Sequence, residues 1–328
     1  MNCLFVYNPH SGKSGLVKRI NFIIQELQTI YDEVDYIPTE YAGHAKKIAS
    51  DACGKYDRLI VSGGDGTFNE IINGIAEKKN APIVGYLPSG TVNDISRSLN
   101  IPRNLKKALK VIRDNNVFEH DIFKCNNDYG IYFCGAGAFT STSYATEQKY
   151  KKKWGKIAYF FNCIGEINDI QDFEIKITDK NGYVTSGKYI MMLIINSRSA
   201  AGFKMNARAN LSDGKVDIVL IKRENKKFIN YLSSIVAIGK IFLIDQNILR
   251  NNDYITKLKL SEFHLENSKR AIINIDGEQS SYGNMDFKVL QKGLKIIVPS
   301  KTIKQQFKIR NREQAVLEKA EKKLKKDA

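Results

Sequence analysis

The sequence predicts an N-terminal α/β domain built on a doubly wound parallel sheet, followed by a C-terminal, mostly antiparallel β domain. Three observations carry that prediction. Over the first third of the chain, apolar runs alternate with apolar residues at helical spacing; after about Asp121 short strands separated by turn residues take over; and polar, glycine-containing loops recur where the early strands give way to helices.

Cys3 to Tyr7 is a short apolar run that reads as a buried strand, and Val17, Ile20, Ile23, Ile24, Leu27 and Ile30 behind it make one face of a helix. Val34 to Ile37 leads into a helix over Gly43 to Cys53. Leu59 to Ser62 precedes a helix with Phe68, Ile71, Ile72 and Ile75 on one face. Ala81 to Leu87 is a fourth strand, and the helix Asn93 to Leu99 behind it is closed off by Pro102. Strands at Tyr129–Phe133, Phe173–Ile177, Tyr189–Ile195, Val216–Ile221 and Ala271–Ile275 read as a sandwich or split barrel. Leu294 to Val298 is another strand, which the sequence assigns to neither domain. The division expected is 1–122, open to completion by residues after about 286, then 123–285, then a basic helical tail over 301–328.

At 328 residues, 43% hydrophobic and 26% charged, the chain has globular composition and enough length for two ordinary domains. Its N-terminus reads as a first strand without a basic region before an apolar core, so the expected location is the cytoplasm. The apolar stretch Phe228 to Ile244 carries Asn230, Ser233, Ser234 and Lys240 and is short for a bilayer span. Five separated cysteines without Cys-x-x-Cys spacing read as reduced, and four scattered histidines exclude a zinc site of local spacing. A net charge of +16 calls for an anionic partner, whether nucleic acid, lipid headgroup or phosphorylated ligand. Residues 301–328 hold 10 Lys/Arg against 4 Asp/Glu, so most of the excess lies on the body. Within that tail, Glu313 to Lys326 places Val316, Leu317, Ala320 and Leu324 on one stripe, expected to pack on the protein's own surface.

The segment Gly63-Gly64-Asp65-Gly66-Thr67-Phe68-Asn69-Glu70 follows a buried strand and opens a helix. Glycines there let backbone N–H groups approach a phosphate, while Asp65 would be repelled by phosphate unless a cation such as Mg²⁺ lay between them. The bland alternative is a tight turn capped by Asp65 and Thr67. Asn8-Pro9-His10-Ser11-Gly12-Lys13-Ser14-Gly15 is a second loop of this kind. It is not a Walker A motif, because Tyr7 stands where that motif needs glycine. Its Ser/Gly backbone and Lys13 suit phosphate, although a plain helix start explains it equally. A third loop, Leu87 to Asp94, contributes Gly90, Thr91, Asn93 and Asp94, with helix capping as the alternative. Loops at the carboxyl ends of neighbouring strands converge in a doubly wound sheet, so the three together predict one nucleotide site. Gly135-Ala136-Gly137 lacks the third glycine of a dinucleotide fingerprint, Thr140 standing there, and reads as a tight turn. Asp276-Gly277-Glu278 and Asp213-Gly214 read by default as turns. A positioned Asp is also the base that transfer to an alcohol requires, and Asp213 has metal binding as its secondary reading.

With these residues in view, the chain resembles the diacylglycerol kinase catalytic family, which includes soluble bacterial lipid kinases and sphingosine kinases. The likeness runs through Asn8-Pro9-x-Ser11-Gly12, Thr39 with Gly43-His44-Ala45, Gly63 to Glu70, Leu87 to Asp94, Asp213-Gly214 with Val216-Asp217, and Asp276-Gly277-Glu278. It implies a C-terminal β-sandwich, ATP in the cleft between the domains, and a lipid acceptor in the second. ATP is expected on Asn8 to Lys13, Thr39, Gly63 to Glu70, Gly90, Thr91 and Asn93. Asp65 and Asp94 would organise a catalytic Mg²⁺, Asp276 would be the base with Glu278 beside it, and Asn210, Asp213 and Lys215 would form a structural Mg²⁺ loop. Ala207 departs from the proline frequent before that loop. The resemblance also implies phospholipid biosynthesis, peripheral binding to anionic membrane and a homodimer. Diacylglycerol is the expected acceptor, with a sphingoid base, monoacylglycerol or phosphatidylglycerol as alternatives. An NAD kinase shares the Gly-Gly-Asp-Gly loop but fits the flanking motifs less well. A nucleic-acid-binding protein would need a reading motif that the sequence lacks, so no nucleic acid is expected.

Overall fold

A computed structural model describes residues 1–12, 19–137, 172–200, 202–222, 251–267, 271–280 and 283–327. Lys13 and the Phe228–Ile244 run lie outside the described residues.

The first third alternates as expected. β1 (Asn2–Tyr7), α1 (Ile20–Gln28), β2 (Glu33–Pro38), α2 (His44–Ala52), β3 (Arg58–Gly63), α3 (Asp65–Ile75), β4 (Ile83–Pro88), α4 (Asp94–Ser98) and α5 (Leu105–Asp114) follow one another. The strands are parallel in the order β4-β3-β1-β2. Successive side chains of β1 point to opposite faces: Leu4 and Val6 pack with Ala45, Ile48, Phe68 and Ile71 of α2 and α3, while Cys3 and Phe5 pack with Ile23, Leu27, Leu109 and Ile112 of α1 and α5. Helices therefore cover both faces, which is why the strands read as continuous apolar runs.

The antiparallel region comprises β5 (Val117–Cys125), β6 (Asp128–Gly130), β7 (Phe133–Gly137), β8 (Phe173–Asp179), β9 (Val184–Ile195), β10 (Val216–Lys222), β11 (Ile255–Leu260), β12 (Glu262–Asn267), β13 (Ile273–Ile275), β14 (Glu278–Ser280) and β15 (Met285–Ile297). The run expected as one strand over Tyr129–Phe133 is split, because the amides of Ile131, Tyr132 and Phe133 turn to the Asp276 carboxylate instead of a neighbouring strand. Gly135 to Gly137 is strand, not the turn expected from composition. A Cβ on Gly135 would lie 2.5 Å from the Phe133 ring, so the glycine serves close packing.

β15 joins the two regions. Its first half pairs antiparallel with β12, its Ile296 pairs parallel with Val84 of β4, and β5 runs beside it along nearly its whole length. The ladder is interrupted between Leu290 and Leu294, where Lys292 takes a φ of 56°. The buried Asp121 carboxylate holds that irregularity, accepting the Lys292 and Gly214 amides at 2.7 Å each.

The C-terminal helix α6 (Ser300–Asp327) spans the helical tail expected over 301–328 and extends well before the stripe that starts at Glu313. Its packed face is polar at two of three points. Thr302 and Gln306 are 0% exposed, with Ile309 beside them, whereas Val316 and Leu317 stand 66% and 63% exposed. Val316 and Leu317 of the stripe expected to pack on the body therefore face outward, while the side chains of Ala320 and Leu324 lie outside those described. Gln306 replaces lost backbone partners at the centre, accepting from the Leu211 amide at 2.9 Å and donating to the Ala209 carbonyl at 3.1 Å. Among the described residues no helix is long and apolar enough to cross a membrane.

Candidate functional site

Three loops meet at the carboxyl ends of β1, β3 and β4. The Asn8 amide donates to the Ser62 carbonyl at 2.9 Å and the Ser89 amide to the Gly63 carbonyl at 3.0 Å, so backbone bonds tie the loops edge to edge. Side chains add to this: the Asn8 amide group reaches Thr67 Oγ1 at 3.1 Å, and the Ser11 and Ser89 hydroxyls bond each other. The fit depends on missing side chains. A Cβ on Gly12, whose φ is +73°, would fall 2.1 Å from the Ser89 carbonyl oxygen, and one on Gly90 would fall 2.5 Å from Gly64 Cα. Thr39 lies alongside, its amide donating to the Tyr7 carbonyl at 2.8 Å. Asn93 adopts φ 54° and closes the third loop on itself through the Gly90 carbonyl at 2.6 Å. Tyr86 braces it from beneath, donating to the Gly63 carbonyl at 3.1 Å.

Two carboxylates sit behind these loops, Asp65 half-buried and Asp94 buried. Asp65 receives the first amides of α4, the Ile95 N–H at 3.3 Å among them, and so caps that short helix from a different one. Burial raises its carboxyl, against the pull of the Asp94, Ile95 and Asn93 amides and the Arg97 charge. Asp94, 2% exposed, accepts from the Gly202 amide at 2.8 Å and the Ser199 hydroxyl at 3.0 Å. Burial, then the neighbouring Asp65 charge, pushes Asp94 up to about 6. Two hard oxygen donors in each other's field form a donor set suited to a small divalent cation.

Asp276 and Gly277 form the tight turn between β13 and β14, with positive φ values of 51° and 96°. The Asp276 carboxylate is 2% exposed and receives the Ile131, Tyr132 and Phe133 amides at 2.7, 3.0 and 2.9 Å and the Asn69 side-chain amide at 2.9 Å. Burial still lifts it to about 6 against those four donors. Glu278, two residues on, is exposed, and its Oε1 would lie 3.6 Å from a Cβ on Gly66. The Asp276 turn thus anchors the second region to α3 and sets the Glu278 carboxylate against the glycine-rich loop.

Other motif residues have different surroundings. Phe68 is a core side chain whose ring lies tilted against that of Tyr86 at 4.7 Å between centroids. Glu70 accepts the Gly43 amide at 2.9 Å and the Ala45 amide at 3.1 Å, so its carboxylate caps α2, which accounts for the pairing of that residue with Gly43-His44-Ala45. His10 donates its backbone N–H to Asn8, Pro9 is half-buried beside it, and the Thr91 carbonyl accepts from Arg103. Asn210, Asp213 and Lys215 lie near α6: the Asp213 carboxylate pairs with Lys259 at 2.6 Å, Lys259 also pairs with Glu313 at 3.1 Å, and Asn210 donates to the other Glu313 oxygen at 2.6 Å. Lys215 donates its backbone amide to Asp213. Among the described residues no group of three or more His, Cys, Asp or Glu side chains gathers as a metal site. Sequence reading passed over Ser199, Gly202 and Arg97. Only Arg97 carried a signal, one helical turn past Asp94.

The diacylglycerol kinase catalytic domain family matches residues 2–125. A diacylglycerol kinase of Staphylococcus aureus (strain bovine RF122 / ET3-1) is 30% identical over 304 residues, covering 92% of this chain and 94% of that protein. A diacylglycerol kinase of Bacillus subtilis (strain 168) is 29% identical over 306 residues, covering 92% and 97%. The crystal structure of a diacylglycerol kinase from Bacillus anthracis str. Sterne is similar at a TM-score of 0.75 and 27% identity, over 91% of this chain and 97% of that one.

Proposed function

This chain belongs to the diacylglycerol kinase catalytic domain family, and from that premise we propose that it transfers the γ-phosphoryl group of ATP to the free hydroxyl of diacylglycerol, giving phosphatidic acid. The observation that carries the reading is the convergence of the Asn8–Gly12, Gly63–Thr67 and Ser89–Asn93 loops, whose glycines let their backbones nearly touch at the N-terminus of α3, where a phosphate is favoured.

In this reading the loops hold the ATP phosphates, with Lys13 as an added point charge. Asp65 and Asp94 are the residues fitted to hold Mg²⁺, which would supply charge neutralisation at the phosphates. Glu278 takes the proton from the lipid hydroxyl, because it is the exposed carboxylate beside Gly66, while Asp276 is spent on four donors and positions it. The Asn210–Lys215 loop does not fit a metal ion: the Lys259 ammonium already neutralises Asp213. The acceptor enters from the antiparallel region, and the basic body and tail favour anionic membrane, each well-placed Lys or Arg adding about 1 kcal/mol.

The test is phosphate transfer from ATP to diacylglycerol dispersed in anionic micelles. Phosphatidic acid formation supports the proposal. Absence of transfer, or preferential transfer to NAD or a sphingoid base offered in the same assay, overturns it.

A further inference from the structure

A pocket of about 800 Å³ opens where the first turns of α6 meet α4 and the segment following β9. Six cations line it, Arg97, Arg198, Lys204, Lys301, Lys304 and Lys308, and no Asp or Glu does. Lys301, Lys304 and Lys308 recur at three- and four-residue spacing and so share one face of α6, where like charges repel. Among the described residues, the ion pairs of Asp and Glu go to other cations, such as Lys110, Arg113, Lys124, Lys176 and Lys259, and to none of these six. The fold concentrates positive charge here, and among the described residues only Arg97 lies in the field of carboxylates, those of Asp65 and Asp94.

The arrangement is also built. Arg198 is only 7% exposed, held by the Ser98 carbonyl and the Gln305 side chain, and its buried Nε has no hydrogen-bond partner. Ser300 and Lys301 bring the positive end of a 28-residue helix to the rim. No aromatic or large aliphatic side chain lines the cavity, so it offers nothing on which a base would stack or an acyl chain lie. What it offers is donors and charge for a compact dianion, two of them guanidinium groups.

We propose that this pocket is a second anion site, separate from the glycine-rich loops, that binds the phosphate of a phosphorylated ligand. Ser199 and Gly202 line it and also hold the Asp94 carboxylate, and Arg97 lies one turn from Asp94. Occupation of the pocket therefore acts on residues that set the position of Asp94.

Isothermal titration of the full-length protein with sn-glycerol 3-phosphate, and with phosphatidylcholine vesicles containing phosphatidic acid, tests the site at matched ionic strength. The variant Lys301→Ala/Lys304→Ala/Lys308→Ala is expected to bind at least about tenfold more weakly, a loss of about 1.4 kcal/mol. A control of equal charge, Lys78→Ala/Lys106→Ala/Lys107→Ala, keeps the wild-type affinity. Binding of the soluble phosphoester upholds a site for small phosphorylated ligands, and binding of the vesicles alone upholds a lipid headgroup as the source. Equal weakening by both variants, or no binding to the wild-type protein, overturns the proposal. All six substituted lysines are exposed, and a glycerol 3-phosphate shift in the thermal midpoint of the wild-type protein reads the same site without any variant. Binding requires no turnover, so the outcome stands apart from the kinase assay.

Discussion

The Asn69 side-chain amide donates to the Asp276 carboxylate at 2.9 Å, bridging residues 207 positions apart. Through this bond the helix behind the glycine-rich loop and the turn carrying Glu278 keep a fixed relation.

Asp276 and Glu278 should therefore separate in mutagenesis. Glu278→Gln is expected to leave the thermal midpoint unchanged and lower phosphate transfer about 10²–10⁴-fold, the usual contribution of a general base. Asp276→Ala strands three buried amides and is expected to cost about 3 kcal/mol or more in chemical denaturation. Normal turnover by Glu278→Gln would remove Glu278 from the role of base.

Stability should fall as pH rises through the acidic range. Burial raises the carboxyls of Asp94, Asp121 and Asp276 from 3.8 to about 6. Between those values the folded protein holds protons that the unfolded chain has released. The stability from these groups is whole below about pH 4 and is lost as pH rises through about 6. Asp121→Asn removes one group, and urea titrations between these limits should show a slope shallower by up to about 1.4 kcal/mol per pH unit. An unchanged slope would place Asp121 near its ordinary value.

Lys259 holds α6 to the Asp213 loop as an internal cation. Lys259→Met is expected to destabilise the protein by about 1–2 kcal/mol, since Asp213 keeps a half-buried charge without its partner. Mg²⁺ should raise the thermal midpoint of that variant, and chelation should leave the midpoint of the wild-type protein unchanged. A wild-type midpoint lowered by chelator would restore a metal to this loop.

Gly90→Ala is expected to weaken ATP binding at least about tenfold, because the new methyl falls 2.5 Å from Gly64 Cα and pushes two phosphate loops apart. Equilibrium binding of a fluorescent ATP analogue measures this, and wild-type affinity would mean the loops do not act together.

The legible part of the fold was the part whose partners repeat along the chain. Buried parallel strands announce themselves as apolar runs, and the loops after β1, β3 and β4 carry glycines because their backbones nearly touch. What escaped was long-range and polar. Gln306 and Thr302 are 0% exposed yet add nothing to an apolar pattern, so the packed face at the start of α6 was hidden, and Val316 and Leu317, which face outward, were taken for part of it. Glu70 reads as part of a phosphate motif, but the register of α2 against α3 turns it into a helix cap. The spacing of Asp276 from Glu278 could not reveal which is enclosed, since that follows from three amides almost 150 residues upstream.

Because β5 and β15 run side by side from one region into the other, the two are joined by a ribbon and not by a single flexible strand. Its one interruption lies at Lys292, where Asp121 clamps the backbone. The irregularity in this ribbon is therefore held by a buried carboxylate, so Asp121 fixes the backbone where the two regions are joined.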